Sequence, residues 1–183
     1  DRFIKLLVPQ LEKLKVFYLK NPGLQLDQMF GKNIELCALE MSKREKRCGI
    51  GTNVTFFDTD GSKFPCSFVT PMTFDDSELR QIGKTDFNDS TLFIDEYCFK
   101  KCLIYPICPS CAGANYLKNH SFKEQNKSRC KISKLFALFV ADLHAKRIVT
   151  YPELYTNESV LYYTIEAIKK IREAYLDEFS IYL

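Results

Sequence analysis

The residues best suited to chemistry are the cysteines. Eight occur in the 183-residue chain, spaced Cys37-x10-Cys48-x17-Cys66 and, after a gap of 31, Cys98-x3-Cys102-x5-Cys108-x2-Cys111-x18-Cys130. Eight thiols make two tetrahedral sets, and thiolate is the soft ligand that both zinc and iron–sulfur clusters take. Short spacings inside one loop, closed by a distant cysteine, let a chain deliver such ligands from several directions. Three chemistries compete. Buried thiols acting as small hydrophobes suit Cys37 alone, but not the four cysteines packed into the fourteen residues from Cys98 to Cys111. Four disulfides in an exported protein gain support from Asn-x-Ser/Thr triplets at Asn53, Asn88, Asn119, Asn126 and Asn157, which Asn-rich chains also produce freely. Metal fits best. Paired CxxC knuckles would mark zinc, whereas the chain has a single CxxC, Cys108 to Cys111, so the spacing favours iron–sulfur and leaves zinc open.

Few other side chains point to chemistry. Asp95 and Glu96 precede Cys98, but acids flanking a loop are usually solvated. His120 and His144 are lone histidines without a visible partner, one in a polar loop and one near a helix end. Lys100, Lys101 and the backbone amides from Ser110 to Gly113 stand where they could donate toward sulfur, and Tyr97, Phe99 and Tyr105 where they could shield it from water; an ordinary surface or loop role is the commoner one for the donors.

The positioning elements read as helical with one hairpin. From Val8 to Lys20, Leu11, Leu14, Phe17 and Tyr18 recur at helical intervals, with Pro9 in the first turn and Asn21-Pro22-Gly23 as the stop. A short helix over roughly 26–30 is expected to lead into Cys37. The basic stretch Lys43–Arg47 reads as a solvated face. Residues 53–66 predict a β-hairpin around Asp60-Gly61, and 75–82 a short helix. After Cys130, Ile132, Leu135, Phe136, Phe139, Val140 and Leu143 form a helical stripe ending in His144, Lys146 and Arg147. A last helix over 158–178 carries Leu161, Ile165, Ile168, Ile171 and Tyr175, with Asn157 as its cap. The fold class expected is α+β, mostly helical, with one small β-hairpin and a cysteine-rich irregular metal-binding core.

Composition narrows the partners. Charged residues make up 27% and the net charge is +3, with no long single-sign block, so neither nucleic acid nor a membrane is expected as a partner. No stretch reads as a transmembrane helix or a leader peptide, and a cytoplasmic location is expected. The chain opens at Asp1 without an initiator Met, which is expected of a piece of a longer polypeptide.

The same residues resemble the SPASM domain, the twin-cluster C-terminal extension of radical S-adenosylmethionine (SAM) maturases, similar to that of anaerobic sulfatase-maturing enzymes. Cys48 is followed by Gly61-Ser62-Lys63-Phe64-Pro65-Cys66, the family's Gly-x4-Cys; Cys98, Cys102, Cys108 and Cys111 resemble its central quartet, and Cys130 its closing ligand. The match spans 37–130, with a quartet spaced x3-x5-x2 where the family has x2-x5-x3. The resemblance implies two 4Fe–4S clusters, one held by Cys37, Cys48, Cys66 and Cys111 and the other by Cys98, Cys102, Cys108 and Cys130, with zinc possible in an isolated fragment. It also implies three parts: 1–34 as the terminal helix and linker from an upstream radical SAM barrel, 35–130 as the cluster domain, and 131–183 as helices packing on it. The family's catalytic Cys-x3-Cys-x2-Cys is missing from this chain. SAM and its cluster would therefore belong to the upstream domain of the same polypeptide, and this fragment alone would not be catalytic. The role implied is electron transfer and placement of a peptide or protein substrate. Sulfatase-maturing members carry a carboxylate directly after the Gly-x4-Cys cysteine. Ser67 stands there, so the resemblance implies peptide maturation in general rather than formylglycine formation. The competing class is a non-catalytic, zinc-stabilised interaction module.

Overall fold

A computed structural model describes residues 2–27, 30–39, 46 and 48–183. The fold is mostly helical, with six α-helices and one two-stranded antiparallel sheet among those residues. The chain divides into two compact units: Asp1–Met41 with Cys102–Cys108 and Cys130–Leu183, and Ser42–Lys101 with Pro109–Arg129. No helix among the described residues is long and apolar enough to cross a membrane.

The first unit is built on three long helices, α1 (Arg2–Lys20), most of α5 (Lys127–Thr150) and α6 (Glu158–Phe179). Helix α1 starts six residues before the expected Val8, because Ile4 extends the buried stripe Ile4, Val8, Leu11, Lys15, Tyr18 by one more turn. Pro9 consequently lies in the helix interior rather than the first turn. Leu14 and Phe17, expected in the core, are exposed; Lys15 takes the inward position instead. Its ammonium is 2.6 Å from both Glu12 and Asp142 and 5.1 Å from the centre of the Phe139 ring. Burial disfavours this charge, but the two carboxylates outweigh it and raise the Lys15 pKa.

Helix α6 begins where the Asn157 side chain accepts the Val160 N–H at 3.0 Å, as expected of that cap. Its buried face runs Thr164, Ala167, Ile168, Ile171, Tyr175 and Phe179, so Thr164 replaces the expected Ile165, and its hydroxyl is satisfied by the Val160 carbonyl at 2.7 Å. The helix expected over 26–30 does not form at Leu26, Asp27 or Phe30, and Gln28 and Met29 lie outside the described residues. There the Asp27 carboxylate accepts the Phe30 N–H at 3.1 Å. A 3-10 turn, Ile34–Ala38, follows and carries Cys37.

The second unit holds the hairpin, β1 (Phe56–Phe57) and β2 (Lys63–Phe64), with Phe56 opposite Phe64. Gly61, at φ 85°, supplies the left-handed residue of its turn. Helix α2 (Asp76–Ile82) begins at a capping box in which Asp75 and Glu78 satisfy each other's backbone N–H groups. Two further helices, α3 (Glu96–Lys101) and α4 (Ala112–Asn119), lie where irregular chain was expected. The core is Ile50, Val69, Phe74, Ile82, Phe93, Ala112 and Phe122. Of the basic stretch, Lys43, Arg44, Glu45 and Arg47 lie outside the described residues. Lys46 is no solvated charge: its ammonium donates to the Ile50 and Phe87 carbonyls at 2.7 Å each and sits 4.6 Å from the Phe93 ring centre.

Two predictions arise. In the first unit His144 sits within α5, its Nδ1 2.8 Å from the Tyr155 hydroxyl and its ring largely buried beside the Phe30 backbone. Burial first, and the Arg147 charge second, lower its pKa from 6.5 to about 4 against an opposing effect of the Phe30 backbone. Between those values the unfolded chain binds a proton that the folded chain does not, so stability is full above pH 6.5 and declines as pH falls toward 4. The loss amounts to at most about 3 kcal/mol. Urea unfolding at a series of pH values should show this slope, and His144→Gln should flatten it. In the second unit Gly51 has φ 66°, and a Cβ there would stand 2.2 Å from the nearest atom of the Phe87 ring. Gly51→Ala should lower stability by about 3 kcal/mol in the same assay.

Candidate metal centre

All eight cysteines are thiols. The first unit contains Cys37, Cys102, Cys108 and Cys130, and the second contains Cys48, Cys66, Cys98 and Cys111.

In the first unit the Ile34–Ala38 turn packs against α6 and against a second 3-10 turn, Tyr105–Ile107. Apolar burial drives this contact, since Ile34 is fully buried and Ile104 nearly so. Lys32 fastens the same junction by donating to the Ile107 carbonyl at 3.1 Å. Cys37 and Cys102 belong to one apolar cluster with Ile104 and Ile107, and the Cys102 sulfur is 3.9 Å from the Tyr175 hydroxyl on α6. The thiols sense one another. Burial, then Cys102, pushes the Cys37 thiol up to about 12, and burial, then Cys102 and Cys130, raises Cys108. Lys32 opposes both effects, and its own pKa is lowered by burial. Ser133, one turn after Cys130 on α5, hydrogen-bonds the Cys108 thiol.

In the second unit the Gly51 N–H donates to the Pro65 carbonyl at 2.9 Å, which ties the segment after Cys48 to the residue before Cys66. Both thiols pack on the small core. The Cys66 carbonyl accepts the Val69 N–H at 3.1 Å, turning the chain so that Phe68 lies against α4. That approach is close: a Cβ on Gly113 would stand 2.7 Å from the Phe68 ring. Cys111 immediately precedes α4, whose first residue, Ala112, is in the core. Cys98 lies on α3, its N–H accepted by the Asp95 carboxylate at 2.9 Å.

The other residues singled out from sequence take plainer roles. Asp95 caps α3, and Glu96 pairs with Lys100 at 2.6 Å in an exposed i,i+4 bridge. Lys101 and Ser67 are exposed. Tyr97 is 71% exposed and shields nothing, whereas Tyr105 is buried and Phe99 half-buried. His120 is the left-handed cap of α4 with an exposed side chain 3.9 Å from Glu78, so each histidine has an acidic or hydroxyl neighbour that sequence did not reveal. Lys32, Ser133 and Tyr175 were missed, because only tertiary packing brings them to sulfur.

Thiolate donors of the kind zinc and iron–sulfur clusters take are present in each unit, four in number, with Lys32 electrostatically coupled to Cys37 and Cys108 in the first and Lys46 to Cys48 in the second. Among the described residues, no three Cys, His, Asp or Glu side chains converge as a finished metal cage. Protonated thiols have no attraction that would draw them to ligand spacing; a bound cation supplies it. No protein-family model matches the chain, and neither a curated protein nor a solved structure matches it.

Proposed function

We propose that the chain is an auxiliary iron–sulfur domain of a radical SAM enzyme that modifies a peptide or protein. Cysteine burial is the observation that carries this reading. Seven of the eight thiols are only half-buried and Cys37 alone is fully buried, a pattern unlike that of small core hydrophobes. Half-buried thiols stand where a bound metal could take them as thiolate ligands. The SPASM-like order of the cysteines and the Gly-x4-Cys carried on a hairpin support the same reading.

When bound, two 4Fe–4S clusters would supply one-electron transfer, with SAM and its own cluster carried by an upstream domain of the same polypeptide. The residues of this chain hold and tune. The eight cysteines give up their protons and ligate. Lys32 places a cation beside Cys37 and Cys108, and Lys46 places one near Cys48. Tyr175 offers a hydroxyl to Cys102, and buried Tyr105 and Ile104 keep water from its neighbourhood. Reduction potential depends on such charges, hydrogen bonds and exposure.

Anaerobic reconstitution of the chain with iron and sulfide should give a brown protein absorbing near ~400 nm and holding about eight iron per chain. A colourless product that takes up zinc alone would reject the iron reading and favour a structural zinc module. Lys32→Met removes a positive charge that favours the reduced cluster. Its potential should shift to more negative values by on the order of 50 mV, about 1 kcal/mol for one electron, in a dye-mediated titration.

A further inference from the structure

The family resemblance assigns Cys37 to the set of Cys48, Cys66 and Cys111, and Cys98 to the set of Cys102, Cys108 and Cys130. Packing within the two units exchanges them. We infer that Cys37, Cys102, Cys108 and Cys130 form one metal-binding set and Cys48, Cys66, Cys98 and Cys111 the other, each complete within its own unit. The inference rests on the thiolate-metal reading above and specifies its two sites.

Three observations fix the first set. The turn bearing Cys37 packs directly on the turn that Cys102 and Cys108 bracket, and the Lys32 to Ile107 hydrogen bond at 3.1 Å pins the approach. Cys37 and Cys102 share one apolar cluster, and the Cys102 sulfur lies 3.9 Å from Tyr175 of α6, the helix on which the Cys37 turn rests. Cys130 and Ser133 lie three residues apart on one face of α5, where Ser133 bonds the Cys108 thiol and Cys130 acts on it electrostatically. Cys37, Cys102 and Cys108 thus lie at turns that pack together, and Cys130 lies on α5 in the same unit.

Two members of the second set, Cys48 and Cys66, pack on one small core, and the other two lie in the same unit. The Gly51 to Pro65 bond joins the segments of Cys48 and Cys66; Cys111 precedes core residue Ala112, and α4 lies on Phe68 two residues beyond Cys66. Cys98 follows core residue Phe93 by five positions and is anchored by Asp95 in the same unit. Helix α3, which carries Cys98, ends at Lys101, and Cys102 is the first residue of the segment that belongs to the other unit.

The test uses the whole chain and the three ligands on which both assignments agree. In a Cys102→Ala/Cys108→Ala/Cys130→Ala background, reconstituted anaerobically, about four iron per chain should remain. Adding Cys98→Ala should reduce that iron several-fold, and adding Cys37→Ala should leave it unchanged. The reciprocal background, Cys48→Ala/Cys66→Ala/Cys111→Ala, should respond to Cys37→Ala and not to Cys98→Ala. Either background alone decides should the other fail to fold. The opposite pattern overturns the exchange, and loss of all metal from both folded backgrounds overturns two independent sets. Should the unsubstituted chain take up zinc and no iron, the iron reading fails while the same variants, scored as about one zinc falling to none, still decide the partition. A chain that binds neither metal overturns both.

Discussion

Thiols do not assemble themselves, and the rest of the first unit depends on the packing of the Ile34–Ala38 turn against α6. Ile34 is wholly removed from water, and burying a side chain of that size is worth about 1.5–3 kcal/mol. Lys170 adds a hydrogen bond from α6 to the Ala38 carbonyl at 3.2 Å, and Lys32 ties the turn to Ile107. Apolar burial and two lysine–carbonyl bonds therefore deliver Cys37 to its neighbours before any sulfur chemistry begins. The same burial makes the bare thiolate unfavourable. With its pKa pushed up to about 12 by burial, Cys37 stays protonated at neutral pH, and each tenfold gain in its ionised fraction costs about 1.4 kcal/mol. A thiolate-bound metal returns far more, about 10–16 kcal/mol for a structural zinc. The packing of the turn thus keeps the Cys37 thiol neutral, and a thiolate ligand at this position would have to be drawn out by a strongly bound cation.

The second unit solves the same problem with aromatic packing and a backbone clamp. Phe87, Phe93 and Phe122 contact one another with ring centres 5.1–6.1 Å apart, and Tyr116 joins Phe122 at 4.7 Å. Phe87 also occupies the space that a side chain at residue 51 would need. Gly51 therefore serves twice: its left-handed backbone turns the chain after Cys48, and its missing Cβ admits the ring. Lys46 closes the arrangement by donating to carbonyls on both sides of that contact, Ile50 and Phe87.

Local signals read correctly wherever a cap or a turn residue carried them. Asn157, Asp75 with Glu78, and the Asp-Gly turn mark α6, α2 and the hairpin where each forms. The stripe after Cys130 likewise gives α5, although the helix opens at Lys127 and so includes Cys130 itself. Elements decided by tertiary burial were misplaced. Ile4 extends α1 backward past Pro9, and Lys15 faces inward only because Asp142, 127 residues later, meets it. Helices α3 and α4 are short, and α4 begins Ala-Gly-Ala behind a Cys111 that makes no side-chain cap bond, so sequence offered little to announce it.

The grouping of the cysteines was the least legible feature, and the x3 spacing shows why. Residues four apart share a helix face, so on a continuous helix Cys98 and Cys102 would stand together as the resemblance implies. Lys101 is the last residue of α3, and Cys102 belongs to the other unit, at the head of a seven-residue segment, Cys102–Cys108. The chain returns at Pro109, bringing Cys111 back beside the core that holds Cys48 and Cys66. Two short sequence intervals, Cys98 to Cys102 and Cys108 to Cys111, thus span unit boundaries, while the 64 intervening residues between Cys37 and Cys102 separate thiols that share one apolar cluster. Spacing shows which thiols are near in sequence; the end of a six-residue helix marks where the chain passes from one unit to the other.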